Sequence, residues 1–430
     1  GIYDHVGGGF ARYSTDEKWF APHFEKMLYD NALLITVLSE AYQITKKELY
    51  KEVIDKTIQF LRREMFNSNG GYYAALDADS EGVEGKFYTW QADELKDILG
   101  EDYKVYATFY RVEVNGNWEE TNILWMQDSY EEFAKNHQFE INFLKKTINE
   151  CNEKLLQHRS KIIRPQTDDK IILGWNALLI KAFVKAYCAT LNDSYKFFAI
   201  ELDDFLEKEM KKDEKTYFHT YKNGKATVSA FLDDLAYWTE SKILLQEITG
   251  EENYVFQAQK LLEYCIQNYF SDNKMFYYTS SSQDDVIARK IEVYDTATPS
   301  ANSVMAFNLN YLSIIFSQEK WKTIANEMFL SIKKAAIQYP NSFANWLNLE
   351  VFYRNDFKEV VILSENLTQT LPFVNQRYIP NKVLQSANFE KKYFPLLAFK
   401  EKKEKNTFYL CKNYICRKPF FFLEDFLANL

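Results

Sequence analysis

The side chains best suited to chemistry crowd into two stretches near the N-terminus. The first, GIYDHVGGGFARYSTDEKWFAPHFEKMLYDNALL at residues 1–34, packs Asp4, His5, Arg12, Asp16, His23, Glu25, Lys26 and Asp30 around three consecutive glycines. Imidazoles titrate near neutrality, so His5 and His23 are candidates for proton transfer. A glycine run lets backbone approach a ligand or turn tightly. The same residues would equally make a loop knit by salt bridges. The second stretch, ALDADSEGVEGKFYTW at 75–90, sets Asp77, Asp79, Glu81 and Glu84 before Tyr88 and Trp90. On a hairpin over a pocket, one carboxyl can stay protonated as a general acid while another stays ionised. Glycoside cleavage uses such a pair, about 5 Å apart for retention and roughly 6.5–9.5 Å for inversion. A Ca²⁺ loop at Asp77–Gly82, without the ending of a twelve-residue EF-hand loop, and a solvated acidic turn are the competing readings.

These stretches need helices to position them, and the sequence repeats a helical unit. A polar start opens an apolar helix, a turn leads to an amphipathic one, and an aromatic hairpin follows. Four copies begin at Tyr29-Asp30-Asn31, Gly174-Trp175-Asn176, Leu232-Asp233-Asp234 and Pro299-Ser300-Ala301-Asn302. The spacings are irregular, roughly sixty residues between the last three starts, and longer than short solenoid periods, so alternating inner and outer helices that close into a ring fit better. Such a ring gathers the helix starts on one face, making Asp234 a further catalytic candidate. Asp4, Arg12, Glu25, Tyr29, Asn31, Tyr88, Trp90, Trp175, Asn176, Asp233, Tyr237, Asp295 and Asn302 become candidates for ligand contact. Asp, Asn and Ser are also the preferred helix caps, so each helix-start residue has a purely structural alternative.

Composition bounds the rest. The 430 residues carry 72 aromatic side chains (30 Tyr, 34 Phe, 8 Trp) but only 13 Gly and 8 Pro, few breakers and much ring surface to bury. A formal charge of −9 and a pI near 5.4 disfavour a nucleic-acid binder. The longest apolar run, Ile171 to Val184, is interrupted by Lys181 and too short to span a bilayer. No basic-then-apolar leader follows Gly1. Five scattered cysteines form no disulfide framework, which makes a reducing cytoplasm the expectation. Cys411 and Cys416, in CKNYIC, are redox candidates if a turn joins them, and inert thiols otherwise. Neither a zinc motif nor a phosphate-cradling G-x-x-x-x-G-K-[ST] loop is present, so no metal or cofactor is expected. Past about Phe357 the texture becomes that of a small α/β appendage: Val360–Leu363 extended, a helix near Thr368 to Val374, Val383–Leu384 extended, and a strand at Thr407–Leu410. The expected domains are therefore 1–356 and 357–430, with the lysine-rich run from Lys400 to Lys405 as a solvated loop.

With these motifs in order, together with RPQTDDKIILGWNALLI at 164–180, LDDLAYW at 232–238 and YDTATPSANSV at 294–304, the chain resembles the thioredoxin-domain-containing family of spermatogenesis-associated protein 20 and bacterial YyaL-type proteins. The resemblance implies an all-α-dominated (α/α)6 toroid, similar to six-hairpin glycosidases and N-acylglucosamine 2-epimerases, preceded in the family by a thioredoxin-like domain that these residues do not include. The chain departs from the family pattern at Ala11 and Gln166, where His is usual, at Leu235, where an aromatic is common, and at Thr296 and Ala301, where Gly is usual. Two functions follow as expectations. One is a carbohydrate-active enzyme, a glycoside hydrolase or a sugar isomerase or epimerase, taking a small sugar-like ligand. The other is a non-catalytic module that presents the thioredoxin-like domain to a thiol or disulfide client.

Overall fold

The computed structural model describes every residue except 215, 285 and 356, so the expected boundary at residue 356 falls outside the described residues. The chain forms two compact units. One comprises residues 1–31, 52–68 and 72–170, and the other 32–51, 69–71 and 171–430.

In the larger unit, helices Leu173–Thr190, Leu232–Thr249 and Ala301–Phe316 pack side by side. Their sequences are apolar on nearly every face, and nearly every face is buried, the mark of a helix enclosed by protein. Each is followed by an amphipathic helix that packs back on it: Asp193–Glu209, Glu252–Asn268 and Glu319–Gln338. Turn geometry closes these hairpins, with Leu191, Gly250 and Ser317 in left-handed conformations just past the helix ends. A buried ion pair pins the outer helix Asp193–Glu209 to the inner helix of the next hairpin, Leu232–Thr249. Lys242 Nζ lies 2.8 Å from Asp203 Oδ2 and 2.8 Å from Glu207 Oε1, and Trp238 Nε1 donates to Asp203 Oδ1 at 2.8 Å.

The aromatic hairpins are shorter than the sequence pattern suggests. The one expected at Tyr217–His219 is a true hairpin, strands Phe218–Lys222 and Lys225–Ser229 joined at Asn223-Gly224, where both residues have positive φ. Those at Gly70–Tyr73 and Met275–Tyr278 reduce to single bridges, Phe66 with Tyr72 and Phe270 with Phe276, the same six-residue spacing as the Lys211–Tyr217 bridge. Aromatic packing holds these loops where further ladder bonds do not.

The α/β elements expected after residue 357 are present. Strand Lys358–Ser364 pairs parallel with Lys382–Ala387 and antiparallel with Asn406–Lys412, which pairs with Ile415–Cys416. Helix Leu367–Asn375 covers the sheet with Leu371 and Val374. The turn at Asn413-Tyr414 brings Cys411 opposite Cys416, and the two are joined in a disulfide, whereas Cys151, Cys188 and Cys265 are free and buried.

The smaller unit is built on helices Ala92–Leu99, Tyr103–Phe109, Tyr130–His137 and Ile141–Arg159, which enclose Leu95, Tyr106, Phe109, Phe133, Leu144 and Ile148. A capping box at Ser129 and Glu132 starts the third of these helices. The glycine run has the steric role the sequence allowed. Gly8 and Gly9 have φ near +78° and +79°, and a Cβ on Gly9 would sit 2.4 Å from the buried Phe60 ring. Gly9→Ala should therefore lower the unfolding free energy by about 2 kcal/mol or more. An unchanged urea midpoint would mean that this approach of loop to ring is not kept in solution.

Candidate functional site

In the smaller unit the loop after Gly1 folds over a buried charge cluster. Asp4 Oδ2 accepts from Lys26 Nζ at 2.8 Å and Arg159 Nη1 at 2.7 Å, and Oδ1 accepts from the Val6 and Gly7 amides. Burial alone would raise the Asp4 carboxyl, but the adjacent Arg159 and Lys26 cations hold it far below the usual carboxylate range. Burial lowers Lys26 to about 8 against the pull of Asp4. Its ammonium also lies over the rings of Phe60 and Tyr88, at 4.5 and 4.7 Å. Tyr88 stacks on Phe24, and Trp90 joins the core of this unit. His5 is packed against Tyr3 and Tyr110, and burial lowers it to about 3, so it is a neutral imidazole at physiological pH.

A second polar cluster in this unit is more open. His23 Nδ1 lies 2.7 Å from Glu84 Oε1, its ring stacks on Tyr13, and Arg12 pairs with Glu25 at 3.1 Å. Asp30, in the first turn of helix Leu28–Thr45, is pushed up to about 7 by burial, which Arg12 opposes and Glu25 reinforces. Its Oδ2 is buried without a hydrogen-bond partner. Tyr29, beside it, is buried next to Arg12.

The acidic hairpin forms no buried carboxyl pair. Asp77, Asp79 and Glu81 are exposed, and Glu81 pairs with Lys86 at 2.6 Å. Strands of two residues each, Asp79–Ser80 and Val83–Glu84, leave these carboxylates in solvent. Among the described residues, no group of three His, Cys, Asp or Glu side chains converges as metal ligands.

In the larger unit the two consecutive aspartates divide. Asp234 is fully buried and its oxygens are taken. Oδ1 accepts from the Gly174 amide at 2.7 Å, and Oδ2 from the Phe231 amide and His219 Nδ1, each at 2.8 Å. Asp233, one residue earlier, turns toward a cavity of about 190 Å³ with Tyr237, Tyr278, Glu292, Tyr294 and Thr298 on its wall. Burial, reinforced by the negative charge of Asp234, pushes Asp233 up to about 7. The Tyr278 hydroxyl lies 3.4 Å from Asp233 Oδ2, and its ring stacks on Phe231. Tyr237 donates its hydroxyl to the Pro299 carbonyl at 2.5 Å. The arrangement offers one carboxyl that carries a proton near neutrality and a wall of rings and hydroxyls suited to a polyol.

The helix-start asparagines hold backbone. Asn31 accepts from the Phe10 amide and donates to the Phe10 and Met27 carbonyls, and Asn302 does the same for Phe276 and the Glu292 carbonyl. Asn176 donates to the Ile172 carbonyl. Asp295 accepts from the Ser300 and Asn345 amides. Trp175 is half-buried. Three groups stand out that the residue pattern gave no role: the depressed Lys26, the Arg159 on Asp4, and the raised Asp30. Lys26 and Asp30 lie inside the first polar stretch, whereas nothing in the residues around Arg159 signals its contact with Asp4.

No protein-family model matches the chain. Over 97% of its length it is 29% identical to an uncharacterized protein of Caenorhabditis elegans and 27% identical to spermatogenesis-associated protein 20 of Rattus norvegicus. It spans 63% and 59% of those two proteins. Among solved structures, cellobiose 2-epimerase from Spirochaeta thermophila matches 80% of this chain and 67% of its own with a TM-score of 0.51 at 11% identity, a likeness of fold. The similarity to spermatogenesis-associated protein 20 drawn from the sequence motifs thus extends along nearly the whole chain, and the fold class is that of the (α/α)6 glycosidase-like enzymes.

Proposed function

We propose that the chain is a carbohydrate-active enzyme module in which Asp233 gives or takes a proton at a sugar held in the adjoining cavity. The division of labour between the paired aspartates carries this reading: Asp234 is consumed by the fold, while Asp233 faces the tyrosine-lined space with a carboxyl that is half protonated near pH 7. The fold shared with cellobiose 2-epimerase supports sugars as the substrate class. The assignment moves the catalytic role from Asp234 to Asp233 and leaves Asp77, Asp79 and Glu81 as solvated charges. His5, half-buried and neutral, packs against Tyr3 and Tyr110, and His23 pairs with Glu84.

The test is a thermal-shift screen against mono-, di- and uronic-acid sugars at millimolar concentration, where a ligand at about 100 times its dissociation constant adds roughly 2.7 kcal/mol. A shift with one sugar class, followed by turnover that Asp233→Asn abolishes, supports the reading. A flat response across the panel overturns it.

The same variant carries a stability prediction. A carboxyl raised in the folded state favours folding below its unfolded value near 4 and loses that advantage as pH rises through about 7. Asp233→Asn, neutral throughout, should gain on the wild type between pH 4 and 7 and hold a roughly constant lead above it. After allowance for partial solvent access the lead is about 2 kcal/mol. Denaturant titrations at pH 5 and pH 8 measure it, and equal differences at the two values would place Asp233 in solvent.

A second reading, a module serving a thioredoxin-like redox domain, has one observation in its favour, the Cys411–Cys416 disulfide on the C-terminal hairpin. Release of two thiols by a dithiol reductant, combined with a flat sugar screen, would favour it.

A further inference from the structure

The wall of the Asp233 cavity is rich in acceptors and poor in donors. Its described residues include two carboxyls, Asp233 and Glu292, and no Lys, Arg or His. The imidazole that bears on Asp233, His219, bonds Asp234 Oδ2 at 2.8 Å. Glu292 is exposed, and its backbone carbonyl accepts from Asn302 Nδ2 at 2.8 Å. Among the described residues no cation is paired with the Glu292 carboxylate.

The donors of the wall are largely committed elsewhere. Tyr237 gives its hydroxyl proton to the Pro299 carbonyl, and Thr298 hydrogen-bonds the Tyr237 oxygen. The Tyr278 hydroxyl faces Asp233 Oδ2, and the Asn302 amide group is held by the Phe276 and Glu292 carbonyls. Tyr294, 61% exposed and packed on Phe343, adds a ring that solvent reaches. A ligand entering from water therefore meets oxygen lone pairs, tyrosine rings and uncompensated negative charge. An ammonium brings three donors and no acceptor, and aromatic rings attract it. A carboxylate would be repelled, and an N-acetyl group would bring a carbonyl that few donors here are free to meet. The volume, about 190 Å³, suits one sugar residue rather than a chain.

We propose, on the reading of Asp233 given above, that this cavity selects a hexosamine with a free amino group, its ammonium held by Glu292 at the mouth while Asp233 stays free for proton transfer. Glu292 is then a specificity-determining residue, and the substrate class narrows from sugars at large to cationic monosaccharides.

Calorimetric titration of the full chain with glucosamine, N-acetylglucosamine, glucose and glucuronate at pH 7 tests this. Glucosamine should bind about fivefold tighter than glucose or N-acetylglucosamine, the scale of one solvent-exposed ion pair, with glucuronate the weakest of the four. Raising the salt concentration should shrink that preference, since the charge it reads is open to water. Glu292→Gln alters an exposed side chain, should leave the fold intact by circular dichroism, and should bring glucosamine down to the affinity of glucose without changing glucose itself. Glucosamine binding no tighter than glucose, or a preference that survives Glu292→Gln, would overturn the selectivity while leaving Asp233 at a sugar. Absence of heat with all four sugars would overturn both.

Discussion

Asp4→Ala should lower the unfolding free energy by about 3–5 kcal/mol, among the largest losses expected from any single polar substitution in the chain. The reason is what remains behind. Lys26 and Arg159 are 2% and 3% exposed, and without Asp4 each keeps a buried positive charge facing the other. The Val6 and Gly7 amides lose their acceptor as well. Lys26 would retain the Gly8 carbonyl at 2.9 Å, which limits the loss at that end. Asp4→Asn should fall between wild type and Asp4→Ala, since the amide oxygen still accepts but brings no charge. The pH dependence has a definite sign. A carboxyl held far below its unfolded value stabilises the fold at every pH above about 4, and that contribution drains away as the solution is acidified below it. Wild type should therefore be more acid-labile than Asp4→Asn relative to its own neutral-pH stability. Urea titrations at pH 7 and pH 3 measure both effects. A loss under 1 kcal/mol for Asp4→Ala would mean that water reaches the cluster and screens its cations.

The helical framework was open to reading because it rests on apolar periodicity that tolerates little else. Sequences such as LGWNALLIKAFVKAYCAT bury nearly every face, and the amphipathic DSYKFFAIELDDFLEKE can only pack beside such a helix. The C-terminal strands were legible for the same reason, as Val360–Leu363 is a short continuous apolar run buried on both faces. Three of the four helices of residues 92–159 have eight residues or fewer, and no repeat announced them. Side-chain roles were less visible, because a residue type does not report what surrounds it. Asn31 and Asn302 carry the composition of caps or ligand contacts, yet both clamp loops that arrive from 21 and 26 residues away in sequence. Lys26 reads as one charge among several in a polar loop until Arg159, distant in sequence, is found on the same carboxylate.

The aspartate pair is the sharpest case, and it yields the second large effect: Asp234→Ala should cost about 3 kcal/mol or more, whereas Asp233→Asn should not destabilise at all. Adjacent residues on a helix point about 100° apart, so one carboxyl faces the neighbouring helix while the other faces the cavity. Asp234 meets the start of helix Leu173–Thr190 so closely that a Cβ on Gly174 would lie 3.0 Å from Asp234 Oδ1. Its removal strands the Gly174 and Phe231 amides and the His219 ring nitrogen that bond to it now, three donors in a site with little room for water. Asp234→Asn recovers one acceptor and sets an amide N–H against a donor, so it should regain less than half of the loss. Asp233 accepts from the Asp234 amide at 3.0 Å and faces the Tyr278 hydroxyl at 3.4 Å, contacts that the amide oxygen of Asn can keep, and its ionised form is the one the site disfavours. Chemical denaturation of the three variants at pH 8 should therefore order them Asp233→Asn above wild type, wild type above Asp234→Asn, and Asp234→Ala last. Reversal of the first and last would exchange the roles of the two carboxyls and return Asp234 to the cavity.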